Sequence, residues 1–81
     1  MNAQDFCGDI DVDECLEGRA YTRSIENEKK WGRQSGQILC LAMTEELGEL
    51  TREVLHADSE DRIREELLDL WALMYQFARI L

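Results

Sequence analysis

Leu67-Leu68-Asp69-Leu70-Trp71-Ala72-Leu73-Met74-Tyr75-Gln76-Phe77-Ala78-Arg79-Ile80-Leu81 is the stretch that decides the fold. Read as a helix it is apolar almost all round, and a helix of that kind must be covered on every side. Two further helices of an 81-residue chain do not easily do that. The expectation is therefore that a second copy of the chain completes the core. Upstream, Asp58 or Ser59 caps this third helix, and the acids Glu60 and Asp61 fall in its first turn, where the helix dipole favours them. A second helix is predicted over about 37–56, rich in Leu, Glu, Ala and Met, with His56 helping to end it. A first helix is predicted over about 19–34, polar, with Tyr21, Ile25 and Trp31 as its main apolar anchors. Gly32, Ser35 and Gly36 mark its end. The fold class is all-α: a three-helix chain assembling as a dimeric or tetrameric helical bundle.

Composition narrows the function. The chain carries 9 Lys+Arg against 18 Asp+Glu, a formal net charge of −9. That balance argues against a nucleic-acid polymer as partner, since such a partner needs a basic face. No run of roughly 20 apolar residues is present, so a membrane span is not expected. No basic-then-apolar signal segment opens the sequence, so the expected address is cytoplasmic. Three cysteines (Cys7, Cys15, Cys40) without a CxxC do not suggest a disulfide framework, and they read as small hydrophobes. With one histidine, a zinc site of Cys/His type is not expected either. A chain of this size buries only about 60% of its unfolded surface and needs further support. A hard metal held by carboxylates, or self-association, would supply it.

The charge is uneven. Residues 1–17 hold Asp5, Asp9, Asp11, Asp13, Glu14 and Glu17 and no base, and read as an acidic N-terminal arm. Residues 18–81 form the helical domain. Within the arm, Asp9-Ile10-Asp11-Val12-Asp13 looks like the start of a calcium loop, but Glu14 stands at the sixth position instead of Gly and Ala20 at the twelfth instead of Glu.

The remaining acids are placed unusually. On a helical wheel Glu46 and Glu49 lie about 60° apart, among Leu39, Ala42, Met43 and Leu50. On the third helix Glu66 and Asp69 repeat this among Ile63, Leu70, Leu73 and Phe77. Each helix thus sets an i, i+3 acid pair inside its apolar stripe. Buried, unpaired carboxylates are costly and would protonate. A divalent cation bridging two antiparallel helices resolves both the burial and the repulsion. Mg²⁺ suits such a site, because it takes carboxylates together with water and substrate phosphate. A plain reading stands beside this one. Helix surfaces are full of Glu, and Arg52, Arg62 and Arg64 can pair with some of these acids.

Glu45-Glu46-Leu47-Gly48-Glu49-Leu50, followed by Glu66-Leu67-Leu68-Asp69, has the form EExxE, a 16-residue gap, then ExxD. This resembles the MazG-like family of all-α nucleoside triphosphate pyrophosphohydrolases, relatives of the dimeric dUTPases, over about residues 21–80. The resemblance implies Mg²⁺-dependent cleavage, with Mn²⁺ as a substitute, of a nucleoside triphosphate to monophosphate and pyrophosphate, in service of nucleotide-pool cleaning. It also implies a homodimer, or a tetramer built from dimers. By the family's pattern Glu46, Glu49, Glu66 and Asp69 would hold the metal. Glu45 would be catalytic, orienting or deprotonating the attacking water. Its place on the rim of the stripe beside Glu49 permits that role.

Substrate contacts are expected from Trp31, which can stack on a base, and from Lys30 and Arg33 beside it, which can meet phosphates. Lys29 and Arg79 are further candidates. Equally, Trp31 can be a core anchor and the bases ordinary solvated side chains. Family members usually continue past the ExxD helix into a segment with substrate contacts, whereas 12 residues follow Asp69 here. The expectation is that a neighbouring subunit supplies those contacts, or that metal binding outlives turnover. The rival reading from another class is a non-catalytic helical oligomerisation or interaction module that keeps the carboxylate site.

Overall fold

A computed structural model describes residues 15–56 and 59–81. Most of the acidic arm, with its calcium-loop-like acids, and the candidate cap Asp58 lie outside the described residues. Three helices make up the described chain: α1 (Leu16–Trp31), α2 (Gly36–Leu55) and α3 (Glu60–Arg79). The second and third match the sequence expectation closely. The first begins and ends three residues earlier than expected, so Leu16 and Glu17, assigned to the arm, belong to its first turn. The cause is local. Cys15 acts as N-cap, its Sγ accepting from the Gly18 N–H at 3.2 Å, a role that serine or aspartate more often fills. Cys15 is also disulfide-bonded, against the expectation of a plain hydrophobe, while Cys40 is free and exposed.

Helix ends follow ordinary capping chemistry. Gly32 stops α1 at φ 78°, a left-handed conformation that favours glycine, with its N–H bonded to the Glu28 carbonyl. Ser35 caps α2 through the Ile38 N–H, and Ser59 caps α3 through the Arg62 N–H. His56 ends α2, its N–H bonded to the Arg52 carbonyl.

The helices form one layer with α3 in the middle. Glu53 meets Arg62 at one end of the α2–α3 seam, and Gly36 meets Phe77 and Ile80 at the other, so α2 runs antiparallel to α3. On the opposite flank Arg19 meets Glu65 and Glu28 meets Arg79, so α1 runs parallel to α3. α1 and α2 do not touch each other. The linker between them crosses the C-terminal end of α3, where Arg33 Nη2 reaches the Arg79 carbonyl at 3.5 Å. The layer measures 33 × 33 × 20 Å.

Coverage of α3 therefore differs from the expectation. Its two neighbours shield most of its circumference. Leu68, Ala72 and Gln76 are fully buried, and of its large apolar residues only Met74 is more than half exposed. Small buried side chains, Ala20 and Ser24 on α1 and Ala72 on α3, let those two helices approach closely. The uncovered apolar surface sits on α2 instead: Ile38, Leu41, Leu47, Val54 and Leu55 are each at least half exposed, and Leu39 is the helix's buried apolar anchor. No helix among the described residues is long and apolar enough to cross a membrane.

Candidate metal centre

Midway along the α2–α3 seam, antiparallel packing brings the acid pairs together. Carboxylate oxygens of Glu46, Glu66 and Asp69 all lie within 4.8 Å of one another. All three side chains are half-buried. The Oε2 atoms of Glu46 and Glu66 are sealed from solvent and have no hydrogen-bond partner. An acceptor left unmet in this way costs free energy, and three acids at this range repel. Burial pushes the Glu46 carboxyl up to about 7, helped by the negative charges of Glu49 and Asp69 and by Glu66 beside it. Burial also raises Glu66, and the neighbouring carboxylate of Glu49 adds to that rise. Glu49 is thus adjacent to the cluster, but it is exposed and lies outside the three converging oxygens. Glu45 is exposed, one residue before Glu46.

The structure adds a residue the sequence reading missed. Arg23 on α1 donates from Nη1 to Asp69 Oδ1 at 2.8 Å and from Nη2 to Glu65 Oε2 at 2.9 Å. Its guanidinium holds the Glu65 carboxyl below the usual range. Asp69 therefore spans the layer, meeting a cation from α1 and acids from α2. A signal existed in the sequence: Arg19 and Arg23 repeat at i, i+4, as do Glu65 and Asp69. Nothing in the sequence said that those two helix faces would meet. The alternative partners considered for the acids lie elsewhere. Arg62 pairs with buried Glu53, and Arg64 with Glu60.

The proposed substrate residues are separate from the carboxylates. Trp31, at the C-terminal end of α1, is 63% exposed and is not a core anchor. Lys30 Nζ lies over its ring at 5.0 Å. Arg33 caps the end of α3, as described above. Arg79 ties α1 to α3 through Ser24 and Glu28 and is structural.

Three side chains from two antiparallel helices, with inner oxygens unmet, form a donor set suited to a hard divalent cation. No family model, no curated protein and no solved structure matches the chain.

Proposed function

We propose that this chain is a Mg²⁺-dependent nucleoside triphosphate pyrophosphohydrolase that works as a dimer or tetramer and releases a nucleoside monophosphate and pyrophosphate. The observation that carries the reading is the convergence of Glu46, Glu66 and Asp69 with two buried oxygens left without partners. Those three residues would hold the ion, with Glu49 beside them. Mg²⁺, when bound, supplies charge neutralisation to the phosphates and lowers the pKa of water. The protein's own part is positional. Glu45, at the rim, orients the attacking water and takes its proton. The water oxygen forms the new bond to the α-phosphorus, the α–β bridging bond breaks, and pyrophosphate leaves with the bridging oxygen. Arg23, anchored on Asp69, presents a fixed cation at the edge of the phosphate path. Lys30 lies next to Trp31, where the rest of the nucleotide would extend. The motif resemblance supports the same chemistry.

Pyrophosphate release from a panel of NTPs and dNTPs with Mg²⁺ tests the reading. Wild-type protein is expected to turn over at least one of them. Glu45→Gln and Glu49→Gln are each expected to lose about 100-fold or more in kcat with the helical circular dichroism unchanged. No wild-type turnover, or unchanged turnover in Glu49→Gln, would overturn it. The second reading, a helical interaction module, is favoured by one observation, the uncovered apolar side chains of α2.

A further inference from the structure

Arg23 stands on α1, outside the acid cluster, and α3 holds its guanidinium at three points. Nη1 donates to Asp69 Oδ1 at 2.8 Å and reaches the Glu65 carbonyl at 3.5 Å, and Nη2 donates to Glu65 Oε2 at 2.9 Å. Glu65 is fixed from its other side, where Oε1 accepts from Arg19 at 3.2 Å. The four residues form a ladder, because Arg19 and Arg23 are four apart on α1, Glu65 and Asp69 are four apart on α3, and the two helices run parallel. The base of the Arg23 side chain is equally constrained. Ala20 and Ser24, which flank it on α1, are fully buried, so the α1 backbone lies tight against α3 here. The side chain itself is 27% exposed. A planar fork filled in this way has one orientation.

We propose that Arg23 is a positioning residue of the metal centre: by occupying Asp69 Oδ1 it leaves that acid a single oxygen for a cation, and so selects Mg²⁺ over Ca²⁺. This rests on the metal reading above and deepens it. Of the three converging acids, Asp69 is the one bonded to a cationic side chain among the described residues, whereas Glu46 and Glu66 each keep a sealed, unpartnered oxygen. A carboxylate grips one ion with both oxygens only when neither is drawn elsewhere. Here direction and charge both oppose that grip. Nη1 pulls Oδ1 toward α1, and an oxygen already shared with a guanidinium is a poor donor to a second cation. Ca²⁺ takes roughly six to eight oxygens and readily accepts a carboxylate by both of its own. Mg²⁺ keeps a tighter shell, with fewer protein oxygens and several waters. Selectivity between the two therefore lies in how many oxygens the protein can offer, and Arg23 lowers that number by one. Its charge alone could not do this, since charge acts on both divalent ions alike.

The probe is the metal by itself. Free Mn²⁺ is followed by electron paramagnetic resonance, and Mg²⁺ and Ca²⁺ are titrated as competitors to give the ratio of their affinities. Wild type is expected to bind Mn²⁺ and release it to Mg²⁺. Arg23→Met, which frees both Asp69 oxygens, should move the ratio toward Ca²⁺ by about fivefold or more, whatever happens to either affinity alone. Arg23→Lys keeps the charge but cannot span Glu65 and Asp69 together, and should move the ratio the same way by about twofold or more. Arg64→Gln removes a positive charge that is bound to Glu60 instead of the cluster, and should leave the ratio unchanged. A ratio unmoved in Arg23→Met overturns the proposal, and Arg23→Lys decides if the methionine variant fails to fold. A ratio moved as far by Arg64→Gln would also overturn it, because charge alone would then be the cause. Wild type that binds no divalent ion removes both the proposal and the hydrolase. A shifted ratio without wild-type turnover keeps the positioning role and removes the hydrolase, while turnover with an unmoved ratio does the reverse.

Discussion

Glu46 is where residue chemistry and stability meet. Its carboxyl titrates at about 7 in the folded protein, well above its ordinary 4.5, because burial and neighbouring acids disfavour the charge. Below the ordinary carboxyl range the group is protonated in both folded and unfolded chains, and its contribution to stability is intact. As pH rises through about 7 the folded protein must ionise it, and that contribution is lost. Glu66, raised for the same leading reason, acts in the same direction. Glu65, held low by Arg23, acts oppositely, and its contribution is lost only on strong acidification. Metal-free protein in EDTA should therefore melt at a lower temperature at about pH 8.5 than at about pH 5.5, by on the order of 1–3 kcal/mol of stability. Glu46→Gln should flatten that slope, and Mg²⁺ added at the higher pH should restore the lost stability in wild type. A melting temperature that rises steadily across this range would show that the inner carboxylates carry no such strain.

At the scale of the element, α2 is the helix with unfinished packing. Cys40, Met43, Leu47, Leu50 and Val54 follow a three-four spacing along it, the pattern of a seam between helices. Leu47 and Val54 remain 53% exposed. Its two glycines, Gly36 at the first position and Gly48 in the interior, respond to opposite surroundings. A Cβ on Gly36 would stand 3.3 Å from Phe77 Cε2 and 3.6 Å from Ile80 Cδ1, so Gly36→Val should cost about 1–3 kcal/mol by prying α2 from α3. A Cβ on Gly48 meets nothing within 4 Å, so Gly48→Ala should stabilise a lone protomer by about 0.5–1 kcal/mol through helix propensity. Urea midpoints read both changes. A destabilising Gly48→Ala would mean that something outside the protomer packs against that face.

The described residues form an open layer, not a closed bundle. Among them, neither broad face of the three-helix layer is covered, and a small domain with exposed apolar side chains on one outer helix gains by burying them. A second copy is the partner expected from the sequence, and the geometry relocates the reason for it from α3 to α2. Sedimentation should give a dimer or tetramer for wild type. Leu47→Glu combined with Val54→Glu should give smaller species that keep their helical content. A stable wild-type monomer at micromolar concentration would defeat the assembly reading and leave α2 without an explanation.

Local rules were enough for much of this protein. Hydrophobic spacing and the residues flanking each helix determined three helices and the ends of α2 and α3, because capping and amphipathicity act within a few residues, while both ends of α1 lay three residues from where the spacing set them. The i, i+3 placement of Glu46, Glu49, Glu66 and Asp69 on apolar stripes likewise marked the acids before any packing was known. Tertiary structure alone decided the rest. Which helix lies in the middle determines who is covered, and that depends on how a four-residue linker crosses the end of α3, which no helical wheel contains. The same crossing sets Arg23 against Asp69 and Asn27 against Gln76, residues 46 and 49 positions apart. Contacts at that range come from the juxtaposition of faces, so composition and periodicity cannot announce them.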